Sequence, residues 1–548
     1  MVVAILRAAL DQAQAQGKLK SVPASIGVEA PRDPAHGDIA SNVALTMARA
    51  EGQPPRAIAE IILERIELSR QVLEAKVAGP GFINFKMAPG YWQVEIRRAV
   101  REGDRFWRPQ IGEDKKVQVE FLSANPTGPL TVGHGRNAVL GDTIARLYEA
   151  TGHRVTREYY FNDGGRQMKL LGESVQARYL EQIGRKVEFP EDGYHGEYIR
   201  EIAAGLHRVH GPALADQNDI APFRAAAVDA IFADIKHTCE RLSVRFEVYA
   251  NELDLIRGGA VEAALAGLRE RGLIAEYDGA VWLRAEPLKL PKDAVLVRRT
   301  GEPTYRTPDI AYHVEKLKRG FDQIIDVFGA DHIAEHDEVI AAVRALGYDT
   351  APIRAIIYQF VTLTRGGEKV KMSTRKATYV TLEELIDEVG ADVVRFFFMF
   401  RKSDSHLDFD LDLAKRQAPE NPVFYVQYAH ARLCSVFREA EKAGYESTAA
   451  SLDPDLTLLS EEEFALAKRA VGMPAIIAAA TLELEPHRIP FYLLETAAEF
   501  HRYYNKPSNR IIGPDRALSM ARLYLCELLR DALCNGLELI GVSAPERM

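Results

Sequence analysis

Apolar residues follow two periods along this chain, and the change from one to the other marks its elements. At residues 117–121, Val117, Val119 and Phe121 alternate with Gln118 and Glu120, a strand pattern that delivers Glu120 to its C-terminal end. Pro126, Gly128 and Pro129 interrupt it, after which Val139, Leu140, Ile144, Leu147 and Tyr148 recur at helical spacing up to Gly152. Residues 155–161 read as a second strand, which completes a βαβ unit. Further strands are expected at 294–298, 323–328 and 354–360, with helices at 309–319 and 333–346 between them. This alternation predicts a Rossmann-like doubly wound parallel sheet whose ligand lies above the strand C-termini at the switch point.

An insertion leaves that sheet at about 164–292. Most of it is helical and charged, with GPALADQNDIAPF as a linker-like interruption and a hairpin turning at Asp278-Gly279. The expected organisation is an N-terminal α+β domain over 1–105, the α/β domain with its insertion over 106–391, and an all-helical bundle over 392–548 that begins with GADVVRFFFM.

Composition changes this picture little. A chain of 548 residues is too long for one core and suggests about three or four domains at roughly 100–200 residues each. No run of about 18 apolar residues and no signal-peptide pattern occurs, so no membrane association and a cytoplasmic location are expected. The four cysteines, Cys239, Cys434, Cys526 and Cys534, lack metal-ligand spacing and read as reduced core residues. The formal net charge of −9 argues, if anything, against a nucleic-acid partner, although a local basic groove can act within an acidic surface.

Candidate chemistry collects at the loops following the strands. The first turn of the helix after Gly133 aims unpaired N–H groups above the sheet, a suitable seat for phosphate, with His134 as an added donor and Arg136 and Asn137 nearby. An ordinary strand-to-helix connection is the plain alternative. The segment GGEKVKMSTRKATYVTLEEL places a lysine-rich run before a helix capped near Thr381, a charged loop able to close over an anion. Asp309 follows a helix start at Thr307-Pro308, where a carboxylate is favourable without any ligand. Gly329 to His332 reads GADH directly after a buried strand; its glycine permits close approach, and its acidic helix start is the alternative.

These residues carry a resemblance. SANPTGPLTVGHGRN is similar to the first signature of class I aminoacyl-tRNA synthetases in its arginyl form, SANPTGPxHVGHGRN, and departs from it where Thr131 stands in place of the first histidine. KMSTR at 371–375 resembles that family's form of the KMSKS loop, with Thr374 at the second lysine. TYRTPD matches its YxTxD segment. HGDIASNVA and GPGFINF resemble its N-terminal appended domain, and NPVFYVQYAHAR and GVSAPERM its helical anticodon-binding domain.

The resemblance implies a monomeric ligase that activates L-arginine with ATP, accompanied by magnesium but with no dedicated protein metal site, and passes it to tRNA. It implies ATP contacts from Gly133, His134, Asn137, Gly329, Asp331, His332, Lys371, Met372, Ser373 and Arg375. His134, Thr131 and Lys371 would act on the reacting phosphates. Arginine would be held by Glu120, Ser123, Asn125, His134, Tyr305 and Asp309, and tRNA by Asn42, Tyr425, Tyr428, Tyr503 and Tyr504. His36 and Asn42 otherwise read as loop and capping polars, and most of the tyrosines as core. Two other functions fit parts of the sequence: a tRNA-binding paralogue without activity, and a nucleotidyltransferase acting on a small molecule, for which the long helical C-terminal region has no use.

Overall fold

Strands at β1 (Lys116–Glu120), β2 (Arg154–Phe161), β3 (Val248–Asn251), β4 (Gln323–Gly329) and β5 (Ile353–Tyr358) pair in parallel in the order β5-β4-β1-β2-β3. The order reverses between β1 and β4, which opens the expected crevice above their C-terminal ends. The computed structural model describes residues 1–548 except 24–25, 30, 32–35, 218, 371–379 and 446–453. These residues form two units, Gly112–Gln417 and a second one assembled from both chain ends, Met1–Ile111 with Ala418–Met548.

The parallel sheet differs from the sequence expectation at two strands. β3 lies inside the stretch expected to stay out of the sheet; its sequence, VYAN, is too short to show a period. Conversely, Ala294–Val297 is not a strand of this sheet. It joins Ile274–Tyr277 and Ala280–Leu283 in a small antiparallel sheet, where Leu283, Ala294 and Leu296 are buried against helix α2 (Arg306–Lys318) and its neighbours. Asp278 and Gly279 both take positive φ, 52° and 71°, as a two-residue hairpin turn requires.

Helix α1 (Val132–Ala150) is buried on nearly every side. Two glycines permit this: a Cβ on Gly141 would lie 2.1 Å from Phe121 at the end of β1, and one on Gly135 would lie 2.5 Å from Leu382. Leu382 opens helix α3 (Leu382–Val389), whose cap is the expected Thr381 in a reciprocal pair with Glu384. The helix α4 (Ala391–Met399), which the pattern assigned to the C-terminal bundle, packs on α1 and α3 in the sheet-bearing unit. Its apolar face specified a buried helix but not which core would receive it.

In the second unit, Ile39–Ser41, Phe82–Met87 and Val72–Ala78 form an antiparallel sheet, with Phe82–Met87 in the centre. Helices Pro422–Lys442, Glu461–Val471, Arg488–Tyr504 and Arg516–Leu539 pack together, and Lys468 reaches Asp38 at 2.7 Å. Among the described residues, the helical stretch Glu461–Leu482 is long and apolar enough to cross a membrane, but it opens on three glutamates and 44% of its most apolar 18 residues is buried within the protein. All four cysteines are free.

Candidate active site

Glu120 ends β1, and the chain turns sharply after it. Leu122 and Ser123 both adopt positive φ, 68° and 42°, which is unfavourable for residues other than glycine and needs outside support. Asn137 on α1 supplies it: its carbonyl accepts from the Leu122 N–H at 2.7 Å, while its amide donates to the Val327 carbonyl at 3.0 Å. Expected to meet ATP, Asn137 is instead a buried strut between β1, α1 and β4. The turn brings the Ser123 hydroxyl to Glu120 at 3.0 Å, and the same oxygen accepts from the Tyr160 N–H.

Parallel register places three acids side by side, because Glu120 pairs with Glu158 on one neighbouring strand and with Asp326 on the other. Like charges this close are costly unless cations meet them. Helix α2 and its C-cap residue supply these from His313, Lys316 and Arg319, three residues apart and so toward one side of the helix. Lys316 Nζ donates to Glu120 and, at 2.7 Å, to Asp326; Arg319 grips Glu158 with two bonds of 2.7 and 2.9 Å, and Tyr312 adds a third at 2.7 Å. His313 has acceptors at both ring nitrogens, the Asp309 carbonyl at 2.8 Å and the Asp326 carboxylate at 3.0 Å. Burial and Lys316 oppose charge on that ring, but Asp326 outweighs them and its pKa is raised. His336 approaches the same carboxylate at 3.4 Å.

Two acids of this cluster, Asp309 and Glu252, have no cation bonded to them among the described residues. Burial lifts the Asp309 carboxyl up to about 6, with Glu120 pushing the same way against His313 and Lys316. Burial also lifts Glu252, the first residue of the short helix Glu252–Arg257 after β3, up to about 7; hydrogen bonds from Tyr160 at 3.0 Å and Asn162 at 2.6 Å pull it down, while Asp309 pushes it up. Tyr160 stacks on Tyr312 with ring centres 4.5 Å apart. Among the described groups, five carboxylates (Glu120, Glu158, Glu252, Asp309, Asp326) thus face two permanent cations, Lys316 and Arg319, and the imidazoles of His313 and His336. A ligand carrying positive charge completes such a set.

The other half of the site is the mouth of α1. Thr131 is its N-cap, with its hydroxyl oxygen accepting from the His134 N–H at 3.4 Å while His134 Nδ1 accepts from the Thr131 N–H at 3.1 Å. Burial lowers the His134 pKa and favours the neutral ring, and because Nδ1 accepts from the Thr131 N–H, the ring proton sits on Nε2. Arg136, almost fully buried, donates to the carbonyls of Gln359, Lys402 and Ser405 and so fixes the helix mouth to segments beside the second signature. That signature's Lys371, Met372, Ser373 and Arg375 lie outside the described residues. Its ends are described: strands Val361–Arg365 and Glu368–Lys369 lead in, and Thr381 bridges to Thr131, with the Leu382 N–H donating to the Leu130 carbonyl at 2.8 Å.

The remaining expected residues divide. Asn125 faces Asn162 and Gln167, at 3.0 and 3.2 Å, beside the acid cluster. Tyr305 is 52% exposed at the start of α2, and Asp331 and His332 stand in solvent after Gly329, at the end of β4. In the second unit Asn42 is an exposed N-cap residue. Tyr503 is not available to a base: it is 1% exposed and donates to Glu463 at 2.7 Å. Tyr428 and Tyr504 are partly exposed, with the Arg432 guanidinium 4.7 and 5.0 Å from their ring centres, and Tyr425 packs on His501. Sequence reasoning missed Glu252, Tyr160, Lys316 and the Glu158 and Asp326 pair. The polar stripe 309, 312, 313, 316 inside a helix flanked by buried strands was the signal that pointed to them.

Comparison with known proteins covers the same regions. Residues 2–87 match the arginyl tRNA synthetase N terminal domain, 95–397 the catalytic domain of tRNA synthetases class I (R), and 426–548 the DALR anticodon binding domain. The chain is 50% identical to an arginine–tRNA ligase of Desulfotalea psychrophila, over 95% of this chain and 94% of that one, and 49% identical to one of Salinibacter ruber, over 95% and 96%. The solved arginyl-tRNA synthetase of Thermus thermophilus is similar over 100% of both chains, at 25% identity and a TM-score of 0.76.

Proposed function

The chain belongs to the arginyl-tRNA synthetases, and from that membership we propose how its residues divide the work. Its activity is that of an arginine–tRNA ligase: arginine and ATP give arginyl-adenylate and pyrophosphate, and arginine then passes to the terminal adenosine of tRNA.

Glu120, Asp309 and Glu252 receive the two positive charges of arginine, its guanidinium and its α-ammonium, while Ser123 and Asn125 shape the wall. The observation that supports this is the acid cluster short of cations at the switch point of the sheet. Arginine's carboxylate is already ionised, so attack on the α-phosphorus needs no general base; alignment and neutralisation of pyrophosphate carry the rate. Neutral His134 donates through Nε2–H to a phosphate oxygen, beside the N–H groups of the α1 mouth, and Lys371 from its loop meets the leaving pyrophosphate. Gly329, Asp331 and His332 border the adenosine.

Magnesium enters with the phosphates of ATP. Among the described residues, the cluster close enough to hold an ion, His313, Asp326 and His336, is nitrogen-rich and carries Lys316 on its carboxylate, which does not suit a hard oxygen-seeking ion. Asn42 and the outer part of the N-terminal region meet the corner of tRNA, and Tyr425, Tyr428 and Tyr504 with Arg432 meet its anticodon bases by stacking. The enzyme works as a cytoplasmic monomer.

Pyrophosphate exchange across the proteinogenic amino acids, with and without tRNA, tests the reading, and preference for any amino acid other than arginine overturns it. In the same assay His134→Ala loses at least tenfold in activation rate, about 1.4 kcal/mol or more. Thr131→Ala keeps most activity and instead loses about 1 kcal/mol of stability through its cap. Equal tolerance at both positions would remove phosphate from this helix mouth.

A further inference from the structure

We propose that Lys316 is a specificity-determining residue of the arginine pocket, an ammonium built into the enzyme that fills a seat suited to an ammonium and so turns lysine away. This inference rests on the proposed arginine pocket and deepens it. Lysine and arginine carry the same charge, and an acid-rich cavity attracts both. What separates them is shape: an ammonium is a compact point with three donors, whereas a guanidinium is a planar fork with five.

The Lys316 ammonium shows what a lysine would need here. It is fully buried, bonded to Glu120 from β1 and at 2.7 Å to Asp326 from β4, and lies 4.4 Å from the centre of the Tyr312 ring. Two carboxylates and a π-face surround one compact cation. With that seat taken, the acids left for a substrate are Asp309 and Glu252, together with the Glu120 oxygen that already holds Ser123. They belong to three separate elements, α2, the short helix Glu252–Arg257 after β3, and the end of β1. Several acceptors spread over three elements suit a fork whose donors point apart, and a single ammonium leaves some of them without a donor.

The test is pyrophosphate exchange in the presence of tRNA, with arginine and lysine compared by kcat/KM. Lys316→Ala empties the seat. The arginine-to-lysine ratio is expected to fall at least tenfold, with the lysine value rising in absolute terms, and methylammonium chloride, which fits the hole, is expected to restore the ratio where tetramethylammonium chloride does not. A loss of folding or stability alone does not move selectivity in this way. An unchanged ratio, or a fall that methylammonium leaves in place, overturns the proposal.

Lys316→Gln fills the seat with a neutral amide of similar length and can be measured whether or not the alanine variant folds. Occupancy as the cause predicts a ratio within about threefold of the parent; collapse of the ratio in this variant overturns the proposal, because charge and not occupancy would then exclude lysine. Asp309→Asn, assayed alongside, separates the two levels of inference. Normal arginine exchange there defeats the pocket assignment itself and the Lys316 proposal with it. Loss of arginine exchange there, with an unchanged ratio in Lys316→Ala, defeats the Lys316 proposal alone.

Discussion

Two buried charge clusters flank α1, and they are built to opposite rules. Around Asp142, Arg395 and Arg146 bond at 2.7 and 2.6 Å and Arg157 approaches at 3.5 Å, while Arg157 also holds Glu149 at 2.6 and 2.8 Å and lies 3.6 Å from Glu247. Arg245 adds a fourth guanidinium, 3.8 Å from both Glu149 and Glu247, so three acids meet four arginines. Burial alone would raise the Asp142 pKa, yet the arginines hold it below the ordinary carboxylate range. Above the end of β1, five acids meet two permanent cations and two imidazoles among the described residues, and Asp309 and Glu252 are pushed up to about 6 and 7. The first cluster is closed and joins β2, α1 and α4. The second is incomplete, and incompleteness in a buried network is a sign of what is to be bound.

Removing one charge from each cluster gives the largest contrast. Glu120→Gln and Asp309→Asn keep shape and are each expected to lose about 3–5 kcal/mol in kcat/KM for arginine, the double variant losing less than the sum if both serve one ligand. Asp142→Asn leaves buried arginines without their partner and is expected to lose about 3–5 kcal/mol of folding stability with the KM for arginine unmoved. A raised KM in Asp142→Asn, or normal arginine kinetics in Asp309→Asn with only a small change in thermal stability, would erase the distinction. The second outcome would reduce Asp309 to a helix-start charge worth about 0.3–1 kcal/mol.

Glu252 sharpens the comparison with a smaller effect, because Tyr160 and Asn162 already share its charge. Glu252→Gln is expected to cost about 1.5–3 kcal/mol in kcat/KM for arginine, read mainly in KM. An unaltered KM would leave this acid outside the pocket.

Proton uptake separates the clusters more finely. Asp309 and Glu252 must be ionised to hold a cation, so the KM for arginine is expected to rise as pH falls from 8 through about 7 and 6. Without ligand, raised carboxyl pKa values contribute stability that is present below the unfolded values near 4 and lost as pH rises through about 6 and 7. Bound arginine removes that penalty, so saturating arginine should raise Tm by more at pH 8 than at pH 5.5. The lowered Asp142 keeps its contribution above the unfolded value and loses it only as pH falls through its folded pKa, so its cluster does not change across this window. Calorimetry at the two pH values checks both, and an equal arginine-induced shift at pH 5.5 and 8 would count against the open cluster.

What was legible in the sequence were local features. Alternation found β1, β2, β4 and β5, Thr381 was readable as a cap, and Asp278-Gly279 was readable as a hairpin turn because only certain residues accept that backbone. Non-local pairing was not legible. VYAN carries no period that assigns it to a sheet, and AVLV at Ala294–Val297 reads the same in either of two sheets. The site split along the same line: Glu120, His134 and Asp309 stand in or beside short contiguous motifs, whereas Glu252 and Lys316 acquire meaning only when register sets Glu120 beside Glu158 and Asp326. Asn137 and Tyr503 went the other way, polar residues that packing consumed.

The second unit draws on both chain ends, and this has a consequence for synthesis. About three hundred residues separate Ile111 from Ala418. A ribosome adding about 5–20 residues per second leaves the N-terminal segment waiting on the order of 15–60 s for its partner. During that interval helix Pro89–Glu102 has no helix Glu461–Val471 to pack against, and Trp92 stands without the Lys468 ammonium that finally lies 5.1 Å from its ring centre. The nascent chain therefore carries an unfinished apolar face for as long as the sheet-bearing unit between them is being made.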